Sequence, residues 1–303
     1  MINDSLKVFM QVVDKNSFSK AAKALSLTQP AVSFQIHTLE QYYGTVLFDR
    51  VNRNISLTVA GELLLKYAKK MIQLQSEIEN SIEDLTGTIK GKLVVGGSTT
   101  VGEFILPPLV GNFKKKFTQV DIRLCINNSK ETERMVLNDI IDIGIIEGPA
   151  SSEDLIKEKF IDDELVLVTS TNHPWASIDD ISVFKLKDYP FICREKGSGT
   201  RHVIESTLKE VGFPLENLNV AMELGSTSAI TAAVKNDLGM SIISKWAARE
   251  MVEEGLLSTT KLDETKFTRQ FTIIMKKDKF RTHAIEEFLG FLNTDKLKRI
   301  AKD

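Results

Sequence analysis

Two sets of residues in this chain could do chemistry, and neither is a catalytic set. The first is the run Thr28-Gln29-Pro30-Ala31-Val32-Ser33-Phe34-Gln35-Ile36-His37. Ala31, Val32, Ile36 and Leu39 keep helical spacing, which leaves Gln29, Ser33, Phe34, Gln35 and His37 on other faces. Gln can pair with adenine through two hydrogen bonds, and Ser can serve a donor or an acceptor on a base edge. An ordinary helical hairpin with a polar surface would show the same spacing, so this run alone leaves both readings open. The second set is three junctions rich in hydroxyls and glycine: Gly97-Ser98-Thr99-Thr100, Gly197-Ser198-Gly199-Thr200-Arg201 and Gly225-Ser226-Thr227-Ser228. Each lies between a strand-like apolar run and a helix-like run. Each should present free backbone N–H groups and a hydroxyl at a positive helix end, which suits an anion. A single such junction reads as helix capping. Three of them, with Arg194 and Arg201 flanking one, favour a shared anion cleft.

Other chemistry is missing from the sequence. There is no phosphate-loop motif, no Gly-x-Ser-x-Gly, no His-Glu-x-x-His and no paired-cysteine metal spacing. His37, His173, His202 and His283 are scattered. No catalytic residue, metal ligand or cofactor is expected. With 303 residues the chain can form two or three domains. Its formal charge is −2, so any contact with nucleic acid must come from a local patch. Residues 1–60 carry six cationic against four anionic side chains, which has the required sign. The opening MINDSLKVFMQVV has no long apolar core and reads as no signal peptide, and no run of about 18 apolar residues exists to span a membrane. Cys125 and Cys193 suit a reducing cytosol, so a cytoplasmic location is expected, with packing favoured over a redox switch.

These sets need elements to hold them. Leu6, Phe9, Met10 and Val13 share one face of a first helix. Ser17 or Ser19 caps a second, with Ala21, Ala22 and Leu25 inward. Ser26-Leu27-Thr28 breaks it, Thr28 caps a third helix, and Pro30 falls in the first turn, where its missing N–H costs nothing. Gly44 ends that helix, and residues 46–57 read as a two-stranded wing with Arg50 and Arg53 near its tip. Thr58 caps a helix of about 27 residues, roughly 40 Å long. Along it Leu64, Tyr67, Met71, Leu74, Ile78, Ile82 and Leu85 form a narrow apolar seam, the pattern of a helix that pairs with another.

From Phe9 through Thr28-Gln29-Pro30-Ala31-Val32-Ser33, Leu39-Glu40, Gly44, Leu47-Phe48, Arg50, Arg53 and Leu57-Thr58 to Ala60-Gly61, these residues resemble the N-terminal domain of LysR-type transcriptional regulators. About a dozen residue types recur at fixed spacing, and the likeness extends more loosely to the end of the chain. It implies a winged helix-turn-helix over 1–58, a dimerisation helix over 59–86, and a two-lobed effector domain like a type 2 periplasmic binding protein. The lobes would be 91–162 with 267–303, and 163–266, the chain crossing near Asp162-Asp163 and again near Phe267. The implied DNA contacts are Thr28, Gln29, Pro30, Ser33, Phe34, Gln35 and His37, with Arg50 and Arg53 on phosphates. The implied effector contacts are Ser98, Thr99, Thr100, Glu147, Arg194, Gly197, Ser198, Gly199, Thr200, Arg201 and Thr227. Partners would be double-stranded DNA carrying an inverted repeat, a small anionic effector, RNA polymerase, and a second copy of the chain, with dimers pairing into a tetramer. The segments REKGSGTR and STT are most similar to members linked to sulfur assimilation or carbon fixation.

Beyond residue 90 the period changes to short apolar runs alternating with helical ones, which predicts an α/β domain built on a mostly parallel sheet. Strands are expected over 92–97, 121–126, 141–146, 155–160, 165–169, 191–193, 220–224, 240–243 and 268–275. A two-lobed solute-binding protein or transferase would share that pattern, with the N-terminal helices serving only in assembly. That alternative leaves the Thr28 to Gln35 face unexplained.

Overall fold

The computed structural model describes residues 2–51, 54–86, 89–263, 265–277, 279 and 281–293. Contacts divide the chain into two compact units, Met1–Leu85 and Thr86–Asp303.

In the first unit, α1 (Ile2–Lys15), α2 (Phe18–Ala24) and α3 (Gln29–Tyr43) precede a hairpin of β1 (Phe48–Val51) and β2 (Asn54–Leu57). Ser17 caps α2 by accepting from Lys20 N, and Thr28 caps α3 by accepting from Ala31 N, with Pro30 in the first turn. Leu6, Phe9, Val12, Phe18, Val32, Ile36 and Leu39 are buried together, with the Phe48 ring 5.3 Å from Phe9 and 5.5 Å from Phe18. The long helix α4 (Val59–Thr86) follows, and Thr58 accepts from Gly61 N at its start.

In the second unit, β3 (Gly91–Ser98) leads through a π-helical turn, Val101–Ile105, into α5 (Leu106–Lys116). Then come β4 (Val120–Asn127), α6 (Ser129–Leu137), β5 (Ile143–Glu147), β6 (Leu155–Ser170), β7 (Asp180–Ile181), β8 (Phe191–Arg194), α7 (Gly199–Glu210), β9 (Val220–Leu224), α8 (Thr227–Lys235), β10 (Ser241–Ser244), α9 (Lys245–Glu253), β11 (Leu257–Leu262), β12 (Phe267–Lys276) and α10 (His283–Leu292). Two lobes form around separate cores. One packs Leu93, Val95, Phe113, Ile143, Phe271 and Phe288; the other packs Leu167, Trp175, Phe191, Ile204, Phe213 and Ile242.

Two expectations need correcting. The runs 155–160 and 165–169 are one strand of 16 residues, so β6 passes straight from one lobe into the other. Its neighbour β12 pairs with it antiparallel across the same passage, Arg269 standing opposite Asp163. The sheet is therefore mixed. β3 is parallel to β4 and β5, β8 to β9 and β11 to β7, but β12 runs antiparallel to β5 and β6, and β10 and β11 run antiparallel to β6. Alternation with helices predicts parallel pairing only where a helix makes the crossover. The chain returns to the first lobe on β12 without one.

Candidate DNA interface and effector cleft

On α3, Val32, Ile36 and Leu39 face the core, and Thr28, Gln29, Pro30, Phe34 and His37 are exposed. Ser33 is half-buried. Gln35 turns back toward α1, where its Oε1 accepts from Ser5 Oγ at 2.9 Å, so it does not join the outer face. Gln29 Oε1 accepts from Ser19 Oγ at 3.0 Å, which fixes the amide and directs its NH₂ away from α2. Arg50 is a β1 residue; its side chain and the whole of Arg53 lie outside the described residues.

Along α4, among the described residues, the exposed large apolar side chains are Val59, Leu63, Tyr67, Met71, Leu74, Ile78 and Ile82, each at least 48% exposed. They recur every three or four residues and have no cover in a single chain. Leu64 differs from its expected place: it packs against the core of α1–α3, and Leu63 takes its position in the stripe. The Leu85 side chain lies outside the described residues.

The three glycine and hydroxyl junctions of the second unit meet between the lobes. Thr100 Oγ1 lies 3.4 Å from Thr227 Oγ1, and Arg194 Nη1 donates to that Thr227 hydroxyl at 3.0 Å. Ser98, Thr99, Thr100, Arg194, Ser198, Thr200 and Thr227 are all buried. Ser98 Oγ is buried with no hydrogen-bond partner. Gly197 has φ +92° and Lys130 N donates to its carbonyl from the other lobe at 3.3 Å.

The expectation of free N–H groups at these junctions is not met. Thr100 N donates to Glu147 Oε1 at 2.9 Å, and Ser228 N donates to Glu103 Oε2 at 3.2 Å. Two carboxylates of the chain thus already occupy two positive helix ends. Arg201 is likewise engaged away from the cleft, by Glu205 at 2.7 Å and Glu223 at 2.5 Å. The cleft cation beside Arg194 is instead Arg269, which the sequence analysis missed. Its Nη1 donates to Glu147 Oε2 at 2.7 Å and to Thr200 Oγ1 at 2.9 Å, while Nε donates to Asp163 Oδ2 at 2.6 Å. Asp163 also accepts from Ser244 at 2.7 Å. Arg269 sits where the alternation Phe267, Phe271, Ile273 demands an inward apolar residue, and that break in pattern is a signal the sequence carries.

One guanidinium between two buried carboxylates separates their titrations. Burial would raise Glu147, but Arg269, Arg194 and the hydrogen bonds from Thr200 and Thr100 outweigh it and hold the carboxyl at about 2. Burial prevails at Asp163, whose pKa is raised despite Arg269. A carboxyl depressed in the folded state stabilises above its unfolded value of 4.5 and loses that contribution as pH falls toward 2. We expect Glu147→Gln to flatten the decline in denaturant midpoint over that window, read by tryptophan fluorescence. A variant with the slope of the parent chain would mean that Glu147 is not held ionised. Among the described residues no His, Cys, Asp and Glu group could hold a metal ion. Cys193 is buried and burial pushes its thiol up, which disfavours the reactive thiolate.

Residues 3–62 match the family model for a bacterial regulatory helix-turn-helix protein of the lysR family, and residues 86–296 match the LysR substrate binding domain. The chain belongs to the LysR family of transcriptional regulators. A relative from Cyanidium caldarium, named "Probable RuBisCO transcriptional regulator", is 34% identical over 94% of this chain and 91% of its own length. One of the same name from Nostoc sp. is 33% identical over 94% of this chain and 86% of its own length. The CcmR regulatory domain of Synechocystis PCC6803, solved in complex with 2-PG, matches with TM-score 0.62 and 28% identity, over 67% of this chain and 96% of that one. Full-length OxyR from Pseudomonas aeruginosa shares the fold, with TM-score 0.65 and 20% identity over 96% of this chain and 94% of that one. This LysR-type protein is accordingly a DNA-binding regulator with an effector-binding domain, not an enzyme. Of the two affinities that the resemblance implied, the relatives carry names tied to carbon fixation. No helix among the described residues is long and apolar enough to cross a membrane.

Proposed function

We propose that this LysR-type regulator acts in the cytoplasm on genes of carbon assimilation, with a small anionic metabolite as its effector. The supporting observation is the interlobe cluster in which Arg194, Thr100 and Thr227 converge, with the buried hydroxyl of Ser98 unpartnered at the start of the same junction as Thr100. A compact anion such as 2-PG would meet Arg194 Nη1 and those hydroxyls, since Glu195 holds Arg194 Nε and Nη2 at 2.8 and 3.0 Å. The exposed stripe of α4 supports a homodimer, and its two-fold symmetry supports an inverted-repeat site with one α3 in each half. Pairing of dimers and contact with RNA polymerase complete the reading. Gln29, Ser33, Pro30 and His37 take the base edges, and Arg50 and Arg53 the phosphates.

Thermal unfolding against 2-PG, sulfate, phosphate, phosphoenolpyruvate, acetylserine and common dicarboxylates tests the effector. A ligand at about 100 times its Kd stabilises the native state by roughly 2.7 kcal/mol. We expect a selective shift that Thr100→Val removes; no shift from any of these anions would overturn the assignment. On DNA, Gln29→Ala is expected to weaken specific binding by about 1–3 kcal/mol and relax one base position. Arg50→Ala should weaken all sequences alike and reduce the salt slope by about 1. Unchanged affinity and sequence preference in Gln29→Ala would displace α3 from the groove.

A further inference from the structure

The outer arc of α3 holds a large aromatic residue at its centre. Pro30, Phe34, His37 and Gln41 follow one another at steps of four, three and four, opposite the buried Val32, Ile36 and Leu39. Phe34 lies at the middle of that arc and is 72% exposed. Its backbone carbonyl accepts from Thr38 Oγ1 at 2.9 Å, within the helix, and its ring belongs to none of the cores. An isolated exposed apolar side chain is common and by itself means nothing. This one shares the outer arc of α3 with Pro30, His37 and Gln41, on the helix whose first turn carries Gln29, its amide oriented by Ser19.

B-DNA offers one apolar group in its major groove, the C5 methyl of thymine, and an aromatic ring is among the side chains that contact it. A charged or amide side chain at this position would favour a base-edge donor or acceptor; phenylalanine can offer none. We propose that Phe34 is a specificity-determining residue that selects a thymine in each half-site by covering its C5 methyl. The inference rests on the proposed placement of α3 in the major groove.

The test uses the full chain and an operator selected by it from a random duplex pool. Each thymine of the half-sites is replaced in turn by deoxyuridine, which deletes the methyl and nothing else. Losing contact with one methyl should lower affinity about fourfold per half-site, or about fifteenfold when both are changed. That sensitivity should fall at one thymine, vanish in Phe34→Ala, and survive in Phe34→Leu, which keeps an apolar surface. Indifference of the parent chain to every uracil overturns the proposal while a loss in Gln29→Ala keeps α3 in the groove. The same uracil sensitivity in Phe34→Ala also overturns it, since another residue then covers the methyl. If neither Gln29→Ala nor Phe34→Ala alters affinity or base preference, the placement of α3 fails and the proposal fails with it.

Discussion

Arg269→Met is expected to cost the second unit about 3–5 kcal/mol of stability, the range for removing one partner of a buried ion pair. The Arg269 side chain is 1% exposed, and so is that of Glu147, while Asp163 is fully buried. Methionine fills the volume but donates nothing, which leaves two buried carboxylates without the cation they share. Asp163 can relieve part of this by taking up a proton, since burial already raises its pKa. Glu147 loses with Arg269 the largest of the influences that depress its carboxyl, and keeps only Arg194 and the hydrogen bonds from Thr200 and Thr100 against its burial. Both tryptophans, Trp175 and Trp246, lie in the second unit, so their fluorescence in a denaturant titration reports this unit alone. A loss under about 1 kcal/mol would show that water reaches the network. Adding Glu147→Gln and Asp163→Asn to Arg269→Met should recover most of the loss, because the cost comes from uncompensated charge.

Gly199→Ala is expected to cost about 1–3 kcal/mol in the same titration, as inserting a carbon into a packed core does. A Cβ at this position would stand 2.3 Å from Glu147 O, 2.5 Å from Glu147 Cβ and 2.7 Å from Ser129 Oγ. The first of these is backbone, so the start of α7 has to move away from the end of β5. The movement would strain the 2.8 Å bond from Thr200 to Glu147 and the contact of Lys130 N with Gly197 O. Loss of the effector-induced thermal shift should accompany the loss of stability. Gly111→Ala, in α5, is the control: nothing lies within 4 Å of its Cβ, and the change should stabilise by about 0.5–1 kcal/mol. Equal effects at the two positions would mean that the lobes do not meet closely at Gly199.

Where the readings succeeded and failed follows from range. Ser17, Thr28, Pro30 and the spacing of Val32, Ile36 and Leu39 act within a few residues of themselves, and the helices they mark formed as read. Leu64 was misplaced because a repeat of three and four cannot say which edge of a stripe turns inward. The wing packs beside the start of α4 and decides it: a Cβ on Gly61 would stand 2.2 Å from Leu47 O. At the cleft, hydroxyls and glycines were visible from composition. Their partners were not, because Glu147 lies 47 residues from Thr100 and 122 from Arg269.

By itself, then, the sequence determined the elements whose causes are local: the helix-turn-helix, the outward face of α3, the long apolar-striped helix, and the strand-to-helix junctions of an α/β domain. Caps, turns and side-chain periodicity act over a few residues, and each is written in consecutive letters. Only the tertiary structure decided that β6 runs unbroken through both lobes, that Arg201 is held by Glu205 and Glu223, and that Arg269 is the second cleft cation. The last of those outcomes depends on which charges the antiparallel return of β12 brings together. Coulomb energy in a buried site depends on distance in space, which sequence separation does not supply.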